Sequence, residues 1–414
     1  MYRWPVSLLL TLAACSERPL GESTTDASTT GGDPQDSTSM VSTGDAEPTT
    51  QSSDPGTTST STTTGGSGES TFGEGECPEA PFIDLNFERP QVMLVIDKSS
   101  SMVSKPWDHD EDDADDDGLQ DADDASPATP RRTRWQSTID VLTEFLSARE
   151  GALHIGAALF PSMEATQMYD EGACITNAMV EAPVGSSATQ ILMTLPPAEA
   201  SNLKGASPAR RGIEAAVTEL QGIPFPAIQR MIVLTDGAGN CAAEAPDAET
   251  LFESSDPLLE QVVAGAHAQG ISTHVIGLEI ADVTSDQTKD GYPDDTNAYE
   301  RLNTLAVAGG VARDGADKFY NVKTDTEMAA ALAEIADGLI PCTLFLNFEL
   351  PLFEFLELTV NDVPYGKASG VECTELDGWR WVDETHLGIE LCGQACLDFR
   401  ASGDIDARVR CPND

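Results

Sequence analysis

The run Val92-Met93-Leu94-Val95-Ile96 ends abruptly in Asp97-Lys98-Ser99-Ser100-Ser101-Met102. An apolar stretch without polar alternation suits a strand covered on both faces, as in parallel sheets flanked by helices. Ligands in open α/β sheets bind just outside the carboxyl ends of such strands. Asp97, Ser99 and Ser101 therefore stand where a ligand site is expected, and all three are oxygen donors. Oxygen-only donors suit hard cations, magnesium above all. This single turn of chain supplies about half of an octahedral shell.

Two later segments extend the pattern. Met231-Ile232-Val233-Leu234-Thr235-Asp236-Gly237 is a second buried-strand run, and it puts another carboxylate at the same edge. Between the two, Gly205-Ala206-Ser207-Pro208-Ala209 opens a helix, with Ser207 expected at the N-cap and Pro208 at the first helical position. Together the three segments resemble the von Willebrand factor type A (VWA) domain and its metal-ion-dependent adhesion site (MIDAS), over residues 91–340.

The resemblance implies an α/β fold with a doubly wound, mostly parallel, Rossmann-like sheet. It implies magnesium or manganese held by Asp97, Ser99, Ser101, Ser207 and Asp236. In that family the serines bind the cation directly, and the aspartates act mainly through water. A threonine usually stands where this chain has Ser207, which keeps the hydroxyl but lacks the methyl group that stiffens χ1. One coordination position stays open for an acidic side chain of a protein ligand. Cys174 and Cys241 are the only two cysteines inside the VWA-like region, and Cys241 closely follows the Asp236 strand, so a disulfide between them is expected.

The N-terminus reads differently. Arg3 precedes a short apolar run that ends in Leu12-Ala13-Ala14-Cys15, which resembles a bacterial lipobox. Residues 1–14 are thus expected to be a lipoprotein signal peptide, with Cys15 the lipidated residue. The residue after the cysteine is Ser16 rather than aspartate, which favours the outer membrane or cell surface. Residues 15–75 are rich in Ser, Thr, Gly, Asp and Pro and bury too little apolar surface to offset chain entropy, so they read as a disordered tether.

Nine cysteines are present, and an even eight remain after Cys15. In an exported chain this argues for up to four disulfides. The connectivity of Cys77 and of the five cysteines beyond residue 341 stays open. Cys392 and Cys396 lack the histidine or second close cysteine pair that would complete a zinc site.

The formal net charge of −47 over 414 residues excludes nucleic acid as a partner, since phosphates need a basic face. Residues 76–340 alternate strand and helix, as a doubly wound sheet requires. Helices are expected near residues 134–149, 208–220, 257–269, 299–308 and 326–339. Strands are expected at residues 92–97, 153–160, 231–236, 272–280 and 318–322, with 191–195 as a short edge strand. His154 and His274 fall inside strands and read as packing residues. Residues 341–414 read as a small disulfide-rich β domain, cored by Trp379 and Trp381.

An acidic insertion, residues 103–134, separates the first strand from the first long helix. Within it Asp113, Asp115, Asp117, Gly118, Asp121 and Asp124 have the spacing of a calcium loop, with the glycine at the sharp turn. The likeness is closer to thrombospondin type 3 repeats than to EF-hands, because Gln120 replaces the usual apolar residue and no amphipathic helices flank the loop. Calcium is the expected ion there.

No His-Glu-x-x-His, Gly-x-Ser-x-Gly or phosphate-loop pattern occurs, so catalysis is not expected. The expected function is capture of a protein or other macromolecule through the metal, on a lipid-anchored surface protein. The alternative is an envelope scaffold in which the metal only stabilises the fold.

Overall fold

The computed structural model describes residues 82–83, 85–104, 106–107, 132–170, 172–223, 228–242, 245–289, 292–348, 350, 353–368, 373 and 377–409. The signal segment, the tether, Cys15, Cys77, Cys411 and the calcium-loop residues Asp113, Asp115, Asp117, Asp121 and Asp124 lie outside the described residues.

In chain order, β1 (Phe82–Ile83) and β2 (Leu85–Asn86) precede β3 (Gln91–Asp97) and the short helix α1 (Ser101–Ser104). The two-residue strands β4 (Pro106–Trp107) and β5 (Arg132–Thr133) pair with each other and lead into α2 (Arg134–Arg149). Next come β6 (His154–Phe160), α3 (Ala188–Thr194), α4 (Ala209–Gly222) and β7 (Gln229–Thr235). They are followed by α5 (Ala248–Glu253), α6 (Leu259–Ala268), β8 (Ile271–Leu278), α7 (Ala298–Ala308), β9 (Tyr320–Val322) and α8 (Asp325–Leu339).

Five of these strands form one parallel sheet in the order β6-β3-β7-β8-β9. All seven residues of β3 are buried. Val92, Leu94 and Ile96 join one apolar cluster with α2 and α8, while Met93 and Val95 join a second with α4, α6 and α7. That two-sided burial is why the strand carries no polar alternation. Each buried aliphatic side chain contributes about 1.5–3 kcal/mol. The chain steps from β3 to β6 on one side and then to β7 on the other, so the sheet's switch point lies between β3 and β7.

Local signals set the helix ends. Thr133 caps α2 by accepting the Gln136 N–H, and Thr324 caps α8 by accepting the Glu327 N–H. Residues 191–195 are not the expected edge strand but fall largely within α3. The reason is a capping box, in which the Ser187 hydroxyl accepts the Gln190 N–H and the Gln190 side chain accepts the Ser187 N–H. The N-cap of α4 is Pro208, one residue later than expected. Ser207 is held outside the helix because its N–H and C=O are both bound to Asn240. His154 is exposed, while burial and then Arg230 push the half-buried His274 imidazole down to about 4.

Beyond residue 341 the elements are β10 (Thr343–Leu346), β11 (Leu356–Val360), β12 (Val363–Tyr365), β13 (Gly378–Trp381), β14 (Gly388–Cys392), α9 (Gln394–Ser402) and β15 (Ile405–Val409). They build two four-stranded sheets, β1-β15-β11-β12 and β13-β14-β10-β2. Two findings amend the sequence reading of this region. Strands β1 and β2, from ahead of the parallel sheet, complete these C-terminal sheets. The region also holds a helix, α9, which ends at Gly403 in a left-handed conformation. A Cβ on Gly403 would meet the Gly151 carbonyl at 2.2 Å, so only glycine permits this approach to the turn after α2. Trp379, Phe399 and Leu344 share one apolar cluster with Leu142 and Leu339 of α2 and α8.

Disulfides join Cys174 to Cys241, Cys342 to Cys396 and Cys373 to Cys392. The antiparallel register sets Phe82 opposite Arg408.

Candidate metal centre

The site is built from the carboxyl ends of β3 and β7, at the switch point. Asp97 ends β3 with no exposed surface. Its Oδ1 accepts the Ser99 N–H at 2.8 Å, which curls the chain back at the strand end. The curl leaves the Ser99 and Ser101 hydroxyls 2.9 Å apart. Across the strand pair, the Thr235 hydroxyl donates to Asp97 Oδ2 at 2.7 Å. The Ser101 hydroxyl donates to Asp236 Oδ1 at 2.9 Å. Four of the five sequence-expected residues are therefore tied into one hydrogen-bonded cluster.

Ser207 arrives from a third segment. Its N–H donates to Asn240 Oδ1 at 2.9 Å, and its carbonyl accepts the Asn240 N–H at 2.9 Å. The adjoining Gly205 carbonyl accepts the Ser100 N–H at 3.1 Å, stitching this segment to the Asp97 turn. Gly205 has φ +111°, and a Cβ there would meet Pro161 at 2.4 Å, so glycine is required for the approach. The disulfide between Cys174 and Cys241 braces the same region, where the Ala206 N–H bonds to the Ala173 carbonyl.

Three participants were not foreseen from sequence. Arg134, the first residue of α2, donates from Nη1 to Asp236 Oδ2 at 3.0 Å and from Nη2 to Glu279 Oε2 at 2.5 Å. Glu279 directly follows β8 and repeats the strand-end carboxylate signal of Asp236, so that signal was available. Arg134 carries no such signal, because its partners come from strands 102 and 145 positions away. Asn240 likewise acts through tertiary contacts, to Ser207 and, from its Nδ2, to the Phe252 carbonyl.

The electrostatics follow from burial. Burial first, and the nearby Asp236 charge second, push the Asp97 carboxyl up to about 7, against the hydrogen bonds from Thr235 and Ser99. For Arg134, burial opposes the charged form, but Asp236, Tyr292 and Glu279 outweigh it and hold the guanidinium above its ordinary range. Lys98 is also buried. Its ammonium reaches the Lys204 carbonyl at 3.2 Å, and burial lowers its pKa.

This donor set fits a hard divalent cation. The side chains are carboxylates and hydroxyls only, and two buried carboxylates that repel each other are relieved by an added positive charge. Among the described residues no group of three or more His, Cys, Asp or Glu could hold a metal. Any cation here therefore depends on the serine hydroxyls. Two clefts flank the centre. One of about 690 Å³ lies over the ends of β7, β8 and β9 and is lined by Arg134, Asp236, Glu279, Tyr292, Thr296 and Lys323. The other, about 410 Å³, lies on the β6 side and is lined by Ser100, Ser104, Gln167, Asn202 and Lys204.

The parallel sheet with helices on both faces and a strand-end Asp-x-Ser-x-Ser is VWA-like in layout. No family model matches the chain, and no curated protein matches it. Solved structures are similar at low identity. The pilus adhesin SpaC of Lactobacillus rhamnosus GG is 13% identical with a TM-score of 0.42, over 78% of this chain and 40% of that one. The vWF domain of the type V pilus tip protein Mfa5 from Porphyromonas gingivalis is 12% identical with a TM-score of 0.35, over 60% of this chain and 93% of that one. Proximal thread matrix protein 1 from the mussel byssus, solved with a zinc-occupied MIDAS motif, is 12% identical with a TM-score of 0.33, over 60% and 47% of the two chains. This chain thus spans 40% of the length of the SpaC adhesin.

Replacing Cys174 and Cys241 together by serine should lower stability by roughly 2–5 kcal/mol. It should also loosen the segment that presents Ser207. Denaturant unfolding measures the first effect. Hydrogen exchange at the Ser207 and Asn240 amides measures the second, and unchanged protection at both would refute the bracing role.

Proposed function

We propose that this protein captures a protein or other macromolecular ligand through a divalent cation, with the folded part held at a cell surface by a lipid on Cys15. The observation that carries the reading is the meeting of Asp97, Asp236 and the Ser99–Ser101 hydroxyl pair at the switch point, between two open clefts. Magnesium or manganese would be held by Ser99, Ser101 and Ser207, with Asp97 and Asp236 acting through water. When bound, the cation supplies an electrophilic point for an acidic group of the ligand. The role of the protein's own residues is to position that point. Asp97 orients Ser99 through its backbone N–H, Ser101 links to Asp236, and Asn240 holds Ser207 in reach. The protein works by binding, not by catalysis.

The acidic insertion is proposed to take a calcium ion through Asp113, Asp115, Asp117, Asp121 and Asp124, independently of the adhesion-site metal. That reading rests on spacing alone. The described strands β4 and β5, which lie within the insertion near its two ends, pair next to α2, the helix that carries Arg134.

Asp97→Ala should abolish metal-dependent capture while circular dichroism stays that of the parent. Capture from a native cell-surface extract should require magnesium and be lost on chelation. Full capture by the variant, or capture indifferent to chelation, would overturn the mechanism. Changing Asp113, Asp115 and Asp117 together to Asn should remove a calcium event with a dissociation constant on the order of 10⁻⁴–10⁻³ M. Magnesium binding should persist in that variant. A triple variant that titrates with calcium like the parent would reduce the insertion to a solvated charge run.

A further inference from the structure

We infer that Arg134 is a resident counter-ion of the metal centre: it shares Asp236 with the cation, lets the site fold without one, and holds the cation's affinity down. The inference rests on the proposed cation reading and concerns how that same site is regulated.

The geometry divides Asp236 between two partners. Oδ2 accepts the Arg134 Nη1–H at 3.0 Å, while Oδ1 faces the Ser101 hydroxyl at 2.9 Å on the side of the proposed metal ligands. Both side chains are removed from solvent, Arg134 to 6% exposure and Asp236 to 1%. Among the described residues Arg134 is the one ion-pair partner of Asp236. Lys98, although buried beside Asp97, directs its ammonium to the Lys204 carbonyl instead.

A charge count shows what this does. Asp97 and Asp236 place two negative charges at the centre, Glu279 adds a third on the second arm of Arg134, and Arg134 returns one positive charge. Without a cation the fully ionised group of four carries two net negative charges rather than three, which the hydrogen bonds from Ser99, Thr235 and Ser101 help it tolerate. With a divalent cation the same group becomes neutral, and an anionic group of a ligand can approach it without net repulsion. A site lacking Arg134 would keep one net negative charge once loaded and would repel such a group.

The same guanidinium repels the incoming cation across a short, poorly screened gap, an effect of at least tenfold in affinity at an effective dielectric of about 20. Arg134 cannot simply swing away. It is the first residue of α2, whose start is fixed by the Thr133 cap and by the neighbouring Trp135 Nε1–H to the Pro197 carbonyl. Its second arm is held by Glu279 at the far side of the larger cleft.

The test uses Mn²⁺ alone as probe, titrated by calorimetry and by its electron paramagnetic resonance signal, with thermal unfolding in chelator and in Mn²⁺. Arg134→Met should bind Mn²⁺ at least tenfold more tightly than the parent. It should melt lower in chelator and regain more of its stability on adding Mn²⁺. Arg134→Lys keeps the charge and should bind within about threefold of the parent. Arg134→Gln removes the charge but keeps a hydrogen-bond donor toward Asp236, so it should likewise bind Mn²⁺ at least tenfold more tightly than the parent. This variant keeps the proposal open to refutation even if Arg134→Met alone does not fold. Arg134→Met binding no tighter than the parent overturns the inference. So does Arg134→Lys behaving like Arg134→Met, or Arg134→Gln binding no tighter than the parent. Failure of the cation reading itself looks different: no Mn²⁺ binding by the parent or by any of the three variants.

Discussion

Two carboxylates from neighbouring strands, Asp97 and Asp236, are buried at the point where the sheet changes direction, and much of the surrounding structure compensates for that placement. Unit charges about 4 Å apart interact by about 4 kcal/mol at the effective dielectric typical of protein sites. Left alone, the pair would destabilise the edge of the sheet. The compensation is distributed: Ser99 and Thr235 donate to Asp97, while Ser101 and Arg134 donate to Asp236. The Asp97 carboxyl nevertheless remains pushed up to about 7, by burial first and by the Asp236 charge second.

A site under such electrostatic strain needs a stiff frame. The two-sided burial of β3 fixes the origin of Asp97, because shifting its register by one residue would exchange the side chains committed to the two apolar clusters. The Ser207 segment has no strand to hold it. It is fastened instead by Asn240, by the Gly205–Ser100 backbone bond and by the nearby Cys174–Cys241 bridge. Regular structure positions the carboxylates, whereas side-chain clamps and a covalent bond position the third hydroxyl.

The C-terminal region is more closely joined to the parallel sheet than its composition implies. Its two β-sheets are completed by β1 and β2, and its core residues lie in one cluster with those of α2 and α8. The chain therefore enters and leaves the described fold through the same β layers. Arg400 on α9 adds a polar link, its Nε donating to the Ile340 carbonyl at 3.0 Å.

The parallel strands, the long helices and the two strand-end aspartates were legible in the sequence, because each rests on a local pattern: an unbroken apolar run, a 3.6-residue period, or a turn chemistry beside it. Residues 134–149 coincide with α2 to the residue. Residues 191–195 misled because a short apolar run is equally compatible with strand and helix. There the capping box at Ser187 and Gln190 decided the outcome. Helix α9 was hidden among cysteines and turns, although Gly403 marks its end.

What the sequence determined by itself was the identity of the donors at the ends of β3 and β7, since strand period and length place them without reference to anything distant. What only the tertiary structure decided was their company. Arg134 meets Asp236 across 102 positions, Asn240 grips Ser207 across 33, and β1 finds β15 at the opposite end of the chain. Those encounters depend on how helices cross the sheet and how its edges close. They are long-range packing outcomes that no local propensity encodes.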